Sequence, residues 1–408
     1  MASDWQRPGQ PGLRHLHPYP FERLRALLAD TTPPSDYAPV ALSIGEPRHP
    51  VPERITNAAA QALHDSLGRY PASIGEPALR ETIAEWLVRR FSLGTERIDP
   101  ERHILPAAGT REALFAVTQA LLDPADRPAV AMPNPFYQIY EGAALLAGGI
   151  PHLMNTDAAS GLPRLDDWQA DDWARCGLIY LCSPGNPTGQ VIPQRFWEEL
   201  FAQQDRHGFV IAADECYSEL YRDESNPPLG LLEACRAAGR DDFAGCLVFH
   251  SLSKRSNVPG LRSGFIAGDA RLIKAFRAYR TYQGCALPAH VQQASRAAWE
   301  DETHVAANRA AYRDKFERAA AVLGELCAYR DPEAGFYLWL PVPDGDDEAF
   351  TRGLYRRTGV SVLPGRYLSR PTPQGDPGAG HVRLALVAEP AVCDDALERI
   401  RAFIEHSY

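Results

Sequence analysis

The sequence lacks the features that point to a membrane or to a nucleic acid. No apolar run approaches the roughly 18 residues of a membrane span, and residues 1–10 are polar, without the apolar core of a signal peptide. Lysines and arginines form no run, and the net charge is −10, from 42 basic and 52 acidic residues. These properties argue against a nucleic-acid or anionic membrane surface as a partner.

The eight cysteines show neither a pairing nor a metal-binding pattern. No C-x-x-C pair is present, and no histidines and cysteines cluster at the spacing of metal ligands, so no metal site is predicted. Scattered cysteines of this kind are typical of reduced, mostly buried thiols. We therefore expect a cytoplasmic protein.

Length and composition indicate a globular protein of more than one domain. At 408 residues the chain exceeds the usual range of a single domain. Its hydrophobic fraction of 45% and charged fraction of 23% are those of an ordinary soluble protein. We therefore expect ordered structure along most of the chain.

Short apolar strands alternate with helix-like segments through the middle of the chain. Nearly continuous apolar strands joined by helices predict a mostly parallel α/β sheet, with the functional residues at the carboxyl ends of the strands. The predicted strands are 129–132, 178–182, 209–213, 247–249 and 265–267.

Apolar segments near residues 335–340, 360–365 and 381–386, followed by a helix over 394–406, predict a smaller α+β domain. We expect a large domain over 46–291 and a small domain made of 1–45 and 292–408. The N-terminal arm contains an amphipathic helix that begins near Phe21. This arm could lie across a partner subunit or cap the small domain.

Polar residues follow three of the predicted strands in succession. Asn186 lies in a Pro/Gly-rich loop after the first, Asp214 and Tyr217 follow the second, and Ser251, Ser253 and Lys254 follow the third. Each stretch alone would fit an ordinary turn. Three at the same edge of one sheet predict a shared pocket.

Two stretches have the chemistry of a phosphate site. Serine hydroxyls at 251 and 253, with Arg262 in a following turn, suit a phosphate dianion. Gly109, Thr110 and Arg111 open a helix whose free N–H groups form a second phosphate-binding element. A lysine beside a bound phosphate suggests pyridoxal phosphate.

The ring of that cofactor requires further groups, and the sequence offers them. Asp214 is a carboxylate for the ring nitrogen, Tyr217 and Asn186 offer donors for the ring hydroxyl, and Tyr137 offers an aromatic face.

The motifs Ser183–Gly189, Asp214–Tyr217 and Ser251-x-Ser-Lys254-x7-Arg262-x-Gly264 resemble those of fold-type I pyridoxal-phosphate aminotransferases of class I/II. The resemblance extends over nearly the whole chain, from Leu42 to Leu384. It implies a mostly parallel sheet flanked by helices in a large domain, with a smaller α+β domain. Cys216 departs from the aliphatic residue of many relatives, and we expect it only to pack.

The resemblance also implies residue roles. Lys254 would bind the cofactor covalently and move a proton on the substrate, while Arg383, helped by Gly45 and Asn186, would bind the substrate α-carboxylate. Tyr70 would reach the cofactor phosphate of a neighbouring subunit. A homodimer with shared active sites is thus expected.

The segments Leu16–Arg25 and Ser43–Pro47 resemble proteobacterial succinyldiaminopimelate aminotransferases. This implies transfer of an amino group between glutamate and N-succinyl-2-amino-6-oxopimelate, in lysine biosynthesis. Such substrates carry additional carboxylates, so further cations should line the pocket mouth. The sequence offers four arginines without placing them, namely Arg23, Arg48, Arg280 and Arg366.

Other functions share the same cofactor residues. An aspartate, alanine or aromatic aminotransferase, or a cysteine-conjugate β-lyase, would have the same cofactor motifs. A pyridoxal-binding regulatory domain would carry an N-terminal DNA-binding module, and a catalytically inactive homologue would lose the reaction. The sequence also leaves open whether the loop 371–380 closes over substrate.

Overall fold

The computed structural model describes residues 10–327 and 329–408; the polar segment 1–9 lies outside them. The chain begins with short helices and then alternates strands with helices. The α-helices are α1 Pro20–Leu28, α2 Glu53–Ser66, α3 Pro77–Arg90, α4 Thr110–Leu121, α5 Gln138–Leu146, α6 Ala170–Ala174, α7 Gln194–His207, α8 Leu231–Ala237, α9 Leu252–Arg255, α10 Ala270–Gln283, α11 Ala289–Trp299, α12 Thr303–Leu323, α13 Asp347–Thr358 and α14 Pro390–Ser407.

The strands form one large sheet and two small ones. They are β1 Val40–Ala41, β2 Ile104–Ala107, β3 Ala129–Asn134, β4 Ile150–Asn155, β5 Cys176–Cys182, β6 Val210–Asp214, β7 Cys246–Ser251, β8 Gly264–Gly268, β9 Tyr337–Pro341, β10 Val360–Ser361, β11 Leu363–Pro364 and β12 His381–Ala385. The large sheet has the order β2-β8-β7-β6-β5-β3-β4, and within it only β8 runs antiparallel to its neighbours.

This mostly parallel sheet confirms the predicted fold class. Strands β3, β5, β6 and β7 are nearly all buried, as expected of strands covered by helices on both faces. Each overlaps a predicted strand. The edge strand β4 was not predicted, because Pro151 interrupts the apolar pattern of a central strand. Most residues of β4 are only half-buried.

The smaller sheets lie in the C-terminal part of the chain. Strands β11, β12 and β9 form an antiparallel sheet, and β1 pairs in parallel with β10. The core beneath them combines residues from β1, α12, α13 and α14. Strand β1, near the N-terminus, is thereby joined to β10, which lies more than 300 residues later in the chain.

The proposed division into two domains stays a prediction. The cores of the large sheet and of the small sheets contain separate clusters of buried residues. Helix α11 crosses the predicted boundary at 291 and 292, and its buried residues belong to a cluster of the large sheet. Helix α1 packs on Leu363, Tyr367 and Leu368 of its own chain, which favours the capping alternative for the arm.

Among residues 10–327 and 329–408, no helix has the length and apolar character needed to cross a membrane.

Candidate active site

A cavity of about 450 Å³ lies at the carboxyl ends of the central strands, where the large sheet meets the small sheet of β9, β11 and β12. Sites of this kind occur at the carboxyl edge of α/β sheets. Its walls combine strand ends, the start of α4 and the N-terminal arm. The lining residues include Tyr19, Gly45, Thr110, Arg111, Tyr137, Asn186, Asp214, Tyr217, Ser251, Ser253, Lys254, Arg262, Tyr337 and Arg383.

Hydroxyl, guanidinium and backbone groups form one end of this cavity. Ser251 ends β7 and accepts a hydrogen bond from the Ser253 N–H at 3.1 Å, which caps the turn that carries Lys254. Arg262 follows with a left-handed backbone, and its Nη1 donates to the Pro259 carbonyl at 2.9 Å. These groups form the donor set expected around a phosphate.

Gly109 permits the close approach of this arginine. Its φ is +83°, and a Cβ there would lie 2.6 Å from Nη2 of Arg262. Gly109 precedes α4 as its N-cap residue, so the free N–H groups of the first turn lie beside the guanidinium. An anion between them would interact with both the helix N-terminus and a fixed positive charge.

Asp214 is the last residue of β6 and is buried. The Tyr140 hydroxyl donates to its Oδ2 at 2.7 Å, and the Cys216 N–H donates to Oδ1 at 3.3 Å. Burial raises the pKa of this carboxyl above its ordinary value. A buried carboxylate without a cationic partner in hydrogen-bond contact is costly, and a protonated ring nitrogen would supply that partner.

Lys254 follows Ser253 in the short helix α9. Its Nζ donates to the Gly45 carbonyl at 2.5 Å. The pKa of Lys254 is lowered to about 8, chiefly by burial and also by the nearby Arg383 and Arg262 charges, against opposing effects from Cys216 and Glu46. A lysine with a lowered pKa provides the neutral amine that reacts with a carbonyl group.

Arg383 lies on β12 and is only 4% exposed. Its Nη1 donates to Asn186 Oδ1 and its Nη2 to the Ser43 carbonyl, each at 3.0 Å. Its guanidinium lies 4.3 Å from the centre of the Tyr337 ring, and its buried Nε has no partner among the described residues. An arginine buried in this way is suited to an anionic ligand.

Tyr217 and Tyr337 line the wall between Lys254 and Arg383. Their hydroxyls lie 3.2 Å apart, and burial raises the pKa of Tyr217 well above its ordinary value, which keeps it a neutral donor. A Cβ on Gly45 would collide with the Tyr337 hydroxyl, so the loop after β1 needs glycine here.

Arg111 lies exposed at the mouth of the cavity. Its Nε donates to the Tyr137 hydroxyl at 2.9 Å and its Nη2 to the Tyr19 hydroxyl at 2.8 Å. Tyr19 belongs to the N-terminal arm, just before α1. Two hydroxyls therefore orient this guanidinium, and its Nη1 donates to no group among residues 10–327 and 329–408.

The structure brings together all of the predicted site residues except Tyr70. Gly109 adjoins the cavity wall, and the others line the cavity directly. Tyr70 is 103% exposed and lies outside it. The four arginines offered for the pocket mouth do not line the cavity either: Arg280 pairs with Glu112 and Arg366 with Asp347, and Arg23 and Arg48 are likewise absent from its walls.

Sequence reasoning missed Tyr140, Tyr19 and Tyr337, which hold Asp214, Arg111 and Tyr217. Tyr140 follows Tyr137 by three residues at the start of α5, a spacing that places both on the same side of a helix. That spacing could have identified Tyr140. Nothing in the local pattern near residues 19 and 337 indicates their contacts, which join segments far apart in the chain.

These groups fit pyridoxal phosphate. The hydroxyls, Arg262 and the start of α4 suit its phosphate, Asp214 suits the ring nitrogen, and Asn186 and Tyr217 suit the ring hydroxyl. The cavity volume lies within the usual range of about 300–1,000 Å³ for small-molecule sites.

Comparisons with known proteins find similar sequences along nearly the whole chain. The family model described as "Aminotransferase class I and II" matches residues 38–400. An LL-diaminopimelate aminotransferase of Desulforudis audaxviator is 32% identical over 394 residues, which cover 95% of this chain and 96% of that protein.

Solved structures show the same fold. An aminotransferase from Neisseria meningitidis is 50% identical with a TM-score of 0.92, covering 96% of this chain and 99% of the other. A probable N-succinyldiaminopimelate aminotransferase from Thermus thermophilus is 28% identical with a TM-score of 0.82, covering 94% and 98%.

Proposed function

The chain belongs to the class I and II aminotransferases, which use pyridoxal phosphate, and from this premise we propose that its substrate is a succinylated diaminopimelate. The reaction would exchange an amino group between glutamate and N-succinyl-2-amino-6-oxopimelate. The bound cofactor supplies an electron sink for the carbon that loses its proton.

The observation that carries this substrate assignment is the set of three arginines in one cavity. Arg111, Arg262 and Arg383 donate to hydroxyl, carbonyl and amide oxygens, and within the described residues none forms an ion pair with a carboxylate. A cofactor phosphate accounts for Arg262 and an α-carboxylate for Arg383. Arg111 remains, and it suits a second carboxylate on the substrate.

The positive charge at the mouth of the cavity favours the succinylated compound over free diaminopimelate. The distal end of free LL-diaminopimelate carries an ammonium group as well as a carboxylate, whereas succinylation converts that amine into a neutral amide. Asp214 is the one carboxylate among the lining residues, and it is buried deep in the cavity. An entirely anionic distal end matches this wall better.

In this reaction Lys254, whose lowered pKa makes a neutral amine accessible, would remove the proton from the substrate carbon and return it on the cofactor side. Arg383 would hold the α-carboxylate as a planar fork. Asn186 and Tyr217 would orient the ring, Tyr137 would pack against its face, and Asp214 would keep its nitrogen protonated. The walls from Tyr19 and Tyr337 would limit the entry of water.

We also propose a homodimer with shared sites and a cytoplasmic location. Leu67, Tyr70 and Tyr282 are 70%, 103% and 94% exposed, which is unusual for large apolar side chains. The loop 70–73 lies beside α10, where Ser73 and Thr281 are in contact. This patch supports dimer formation, and eight cysteines without a disulfide bond support the location.

A second candidate is the amino transfer from free LL-diaminopimelate. It is favoured by the similarity of the chain to the LL-diaminopimelate aminotransferase of Desulforudis audaxviator. The two candidates share every cofactor residue, so they differ only in what the cavity mouth accepts. An acidic residue contributed by a partner subunit would favour this second substrate.

A matched pair of amino donors tests the proposal. The rate of glutamate formation from 2-oxoglutarate is measured with N-succinyl-LL-2,6-diaminopimelate and with LL-2,6-diaminopimelate. We expect kcat/KM to be at least about tenfold higher for the succinylated donor, a difference of about 1.4 kcal/mol. A preference for the free diamine would instead support the second candidate.

Arg111→Met tests the role of the third arginine in the same assay. We expect kcat/KM for the succinylated donor to fall about tenfold or more, while the value for alanine, which lacks a second carboxylate, changes little. Equal losses for both donors would show that Arg111 acts on the cofactor instead. Arg318→Met, on the exposed face of α12, serves as the matched control.

A further inference from the structure

The chain contains three lysines, Lys254, Lys274 and Lys315, and almost all of its positive charge is arginine. Lys274 is exposed, whereas Lys315 is only 2% exposed. A buried ammonium that pairs with no carboxylate is costly unless hydrogen bonds satisfy it. The environment of Lys315 therefore calls for an explanation outside the cofactor site.

All three N–H groups of Lys315 have acceptors. Its Nζ lies 2.7 Å from His49 Nε2 and 3.1 Å from the Leu386 carbonyl, and it also donates to the Ala388 carbonyl. These two carbonyls directly follow β12, the strand that carries Arg383. Lys315, on α12, thus ties down the end of the segment that holds the substrate-binding arginine.

The same contacts fix the tautomer of His49. An ammonium group donates and never accepts hydrogen bonds, so Nε2 of His49 must be the acceptor and the ring proton lies on Nδ1. Nδ1 then donates to Asn308 Oδ1 at 2.7 Å. Burial lowers the pKa of His49 below its ordinary value, and the Lys315 charge lowers it as well.

Asn308 continues this series of contacts to the cofactor lysine. Its Oδ1 also accepts from Asn257 Nδ2 at 3.0 Å. Its Nδ2 donates to the backbone carbonyls of Lys254 and Arg255 at 3.3 and 3.4 Å. The hydrogen bonds therefore run in one direction: Lys315 donates to His49, His49 donates to Asn308, and Asn308 donates to the two backbone carbonyls. Asn308 is only 4% exposed.

We propose that Lys315, His49 and Asn308 form a positioning relay that sets the placement of Arg383 relative to Lys254. The relay joins the carbonyls after β12 to the backbone of Lys254 in four successive steps, from the carbonyls to Lys315, to His49, to Asn308 and to the Lys254 carbonyl. It also anchors the loop after β1, whose Ser43 and Gly45 carbonyls accept from Arg383 and Lys254. No member of the relay lines the cavity, so none touches substrate.

The relay has a defined dependence on pH. Protonation of His49 would place an N–H and a positive charge against the Lys315 ammonium, and this contact would break. The other groups around the ring are Tyr312, with ring centres 4.5 Å apart, and Glu389, whose charge opposes that of Lys315. The relay is therefore intact at neutral pH and weakens only in more acidic solution than an ordinary histidine would require, because burial and the Lys315 charge lower the pKa of His49.

A double-mutant cycle on the cofactor-loaded enzyme tests the relay. We expect His49→Phe and Lys315→Met each to raise KM for the amino donor about tenfold, with kcat changed less than about threefold. The double variant should raise KM no further, because each change breaks the same relay. Additive losses, or an unchanged KM in Lys315→Met, would overturn the proposal; Lys274→Met is the control.

The tautomer of His49 gives a readout that needs no turnover. We expect ¹⁵N NMR of the wild-type enzyme at neutral pH to show His49 protonated on Nδ1 alone. In Lys315→Met this preference should weaken. Protonation on Nε2 in the wild type would overturn the relay even if a variant fails to fold.

The proposal rests on the roles proposed for Lys254 and Arg383, but not on the identity of the oxo acid. If the enzyme prefers another amino donor, the substrate assignment fails and the KM cycle is repeated with that donor. If NMR shows His49 protonated on Nε2, the relay is disproved and the substrate assignment stands.

Discussion

The cofactor side and the substrate side of the cavity are built from contacts of different range. On the cofactor side, Ser251 bonds to Ser253 and Asp214 to the N–H of Cys216, over two residues each. On the substrate side, Arg383 bonds to Asn186 and Ser43 across 197 and 340 residues. The first side is formed mostly at the end of one sheet, with Tyr140 as a more distant partner of Asp214, whereas the second requires distant segments to assemble.

This difference has a functional consequence. Strand ends in a buried parallel sheet are rigid, which suits a cofactor that stays in place. The substrate side depends on the loop after β1, the N-terminal arm and β12, which pack in clusters separate from those of the large sheet. We therefore expect substitutions on the two sides to affect cofactor retention and substrate binding separately.

The largest effect is expected where the two sides meet. Lys254 belongs to the turn after β7, yet its Nζ contacts Gly45 on the substrate side. Lys254→Ala should lower the single-turnover rate with glutamate by about 10⁴-fold or more, because both the covalent link and the proton carrier are lost. Lys274→Ala should react at the wild-type rate, and residual turnover close to wild type in Lys254→Ala would disprove the role.

A change on the substrate side should leave the cofactor side intact. Arg383→Lys removes the planar fork but keeps the charge, so KM for the amino donor should rise about 100-fold, or about 2.7 kcal/mol. The dissociation constant of the cofactor, measured by absorbance titration, should stay within about twofold. Arg318→Lys is the control, and a parallel loss of cofactor would contradict the separation of the two sides.

A change on the cofactor side, Gly109→Ala, should weaken cofactor binding rather than substrate binding. The new Cβ would lie 2.6 Å from Arg262 Nη2 at a φ of +83°, so the dissociation constant of the cofactor should rise about tenfold. Gly208→Ala shares the positive φ but has open space around it. If both variants lost the cofactor equally, backbone strain rather than the crowded arginine would be responsible.

The smallest effect concerns pH. Burial lowers the pKa of Lys254 to about 8, and the Arg383 charge contributes. The rate at which the cofactor-free protein takes up pyridoxal phosphate should therefore rise with pH and level off above about 8, because only the neutral amine reacts. In Arg383→Gln the midpoint should move to higher pH, and a midpoint that moves lower would contradict this account.

The range of the contacts explains what the sequence could predict. Asp214, Ser251 and Lys254 directly end or follow apolar strands, so local pattern was enough to place them at one edge. Arg383 was assigned by resemblance alone, and Tyr19 and Tyr337 were missed because their partners lie 92 and 120 residues away; Tyr140 was missed although its spacing from Tyr137 could have identified it. Edge strand β4 and helix α13 have weaker apolar patterns than the central elements and were also missed.

The predicted cations at the cavity mouth show the same limit. The substrate implied by the resemblance called for further arginines, but only the fold reveals that Arg280 and Arg366 are neutralised by Glu112 and Asp347. Arg111 was predicted as part of the phosphate site from its place at a helix start. Its contacts with Tyr19 and Tyr137 support an additional role for its side chain that no local pattern indicates.

The most direct test of the account is the visible absorption of the purified enzyme during two half-reactions. Glutamate should abolish the band of the lysine-bound cofactor, and N-succinyl-2-amino-6-oxopimelate should restore it at least about tenfold faster than pyruvate at equal concentration. Restoration by pyruvate at the same rate would contradict a substrate selected through Arg111. Absence of the band after addition of pyridoxal phosphate would contradict the assignment of Lys254 itself.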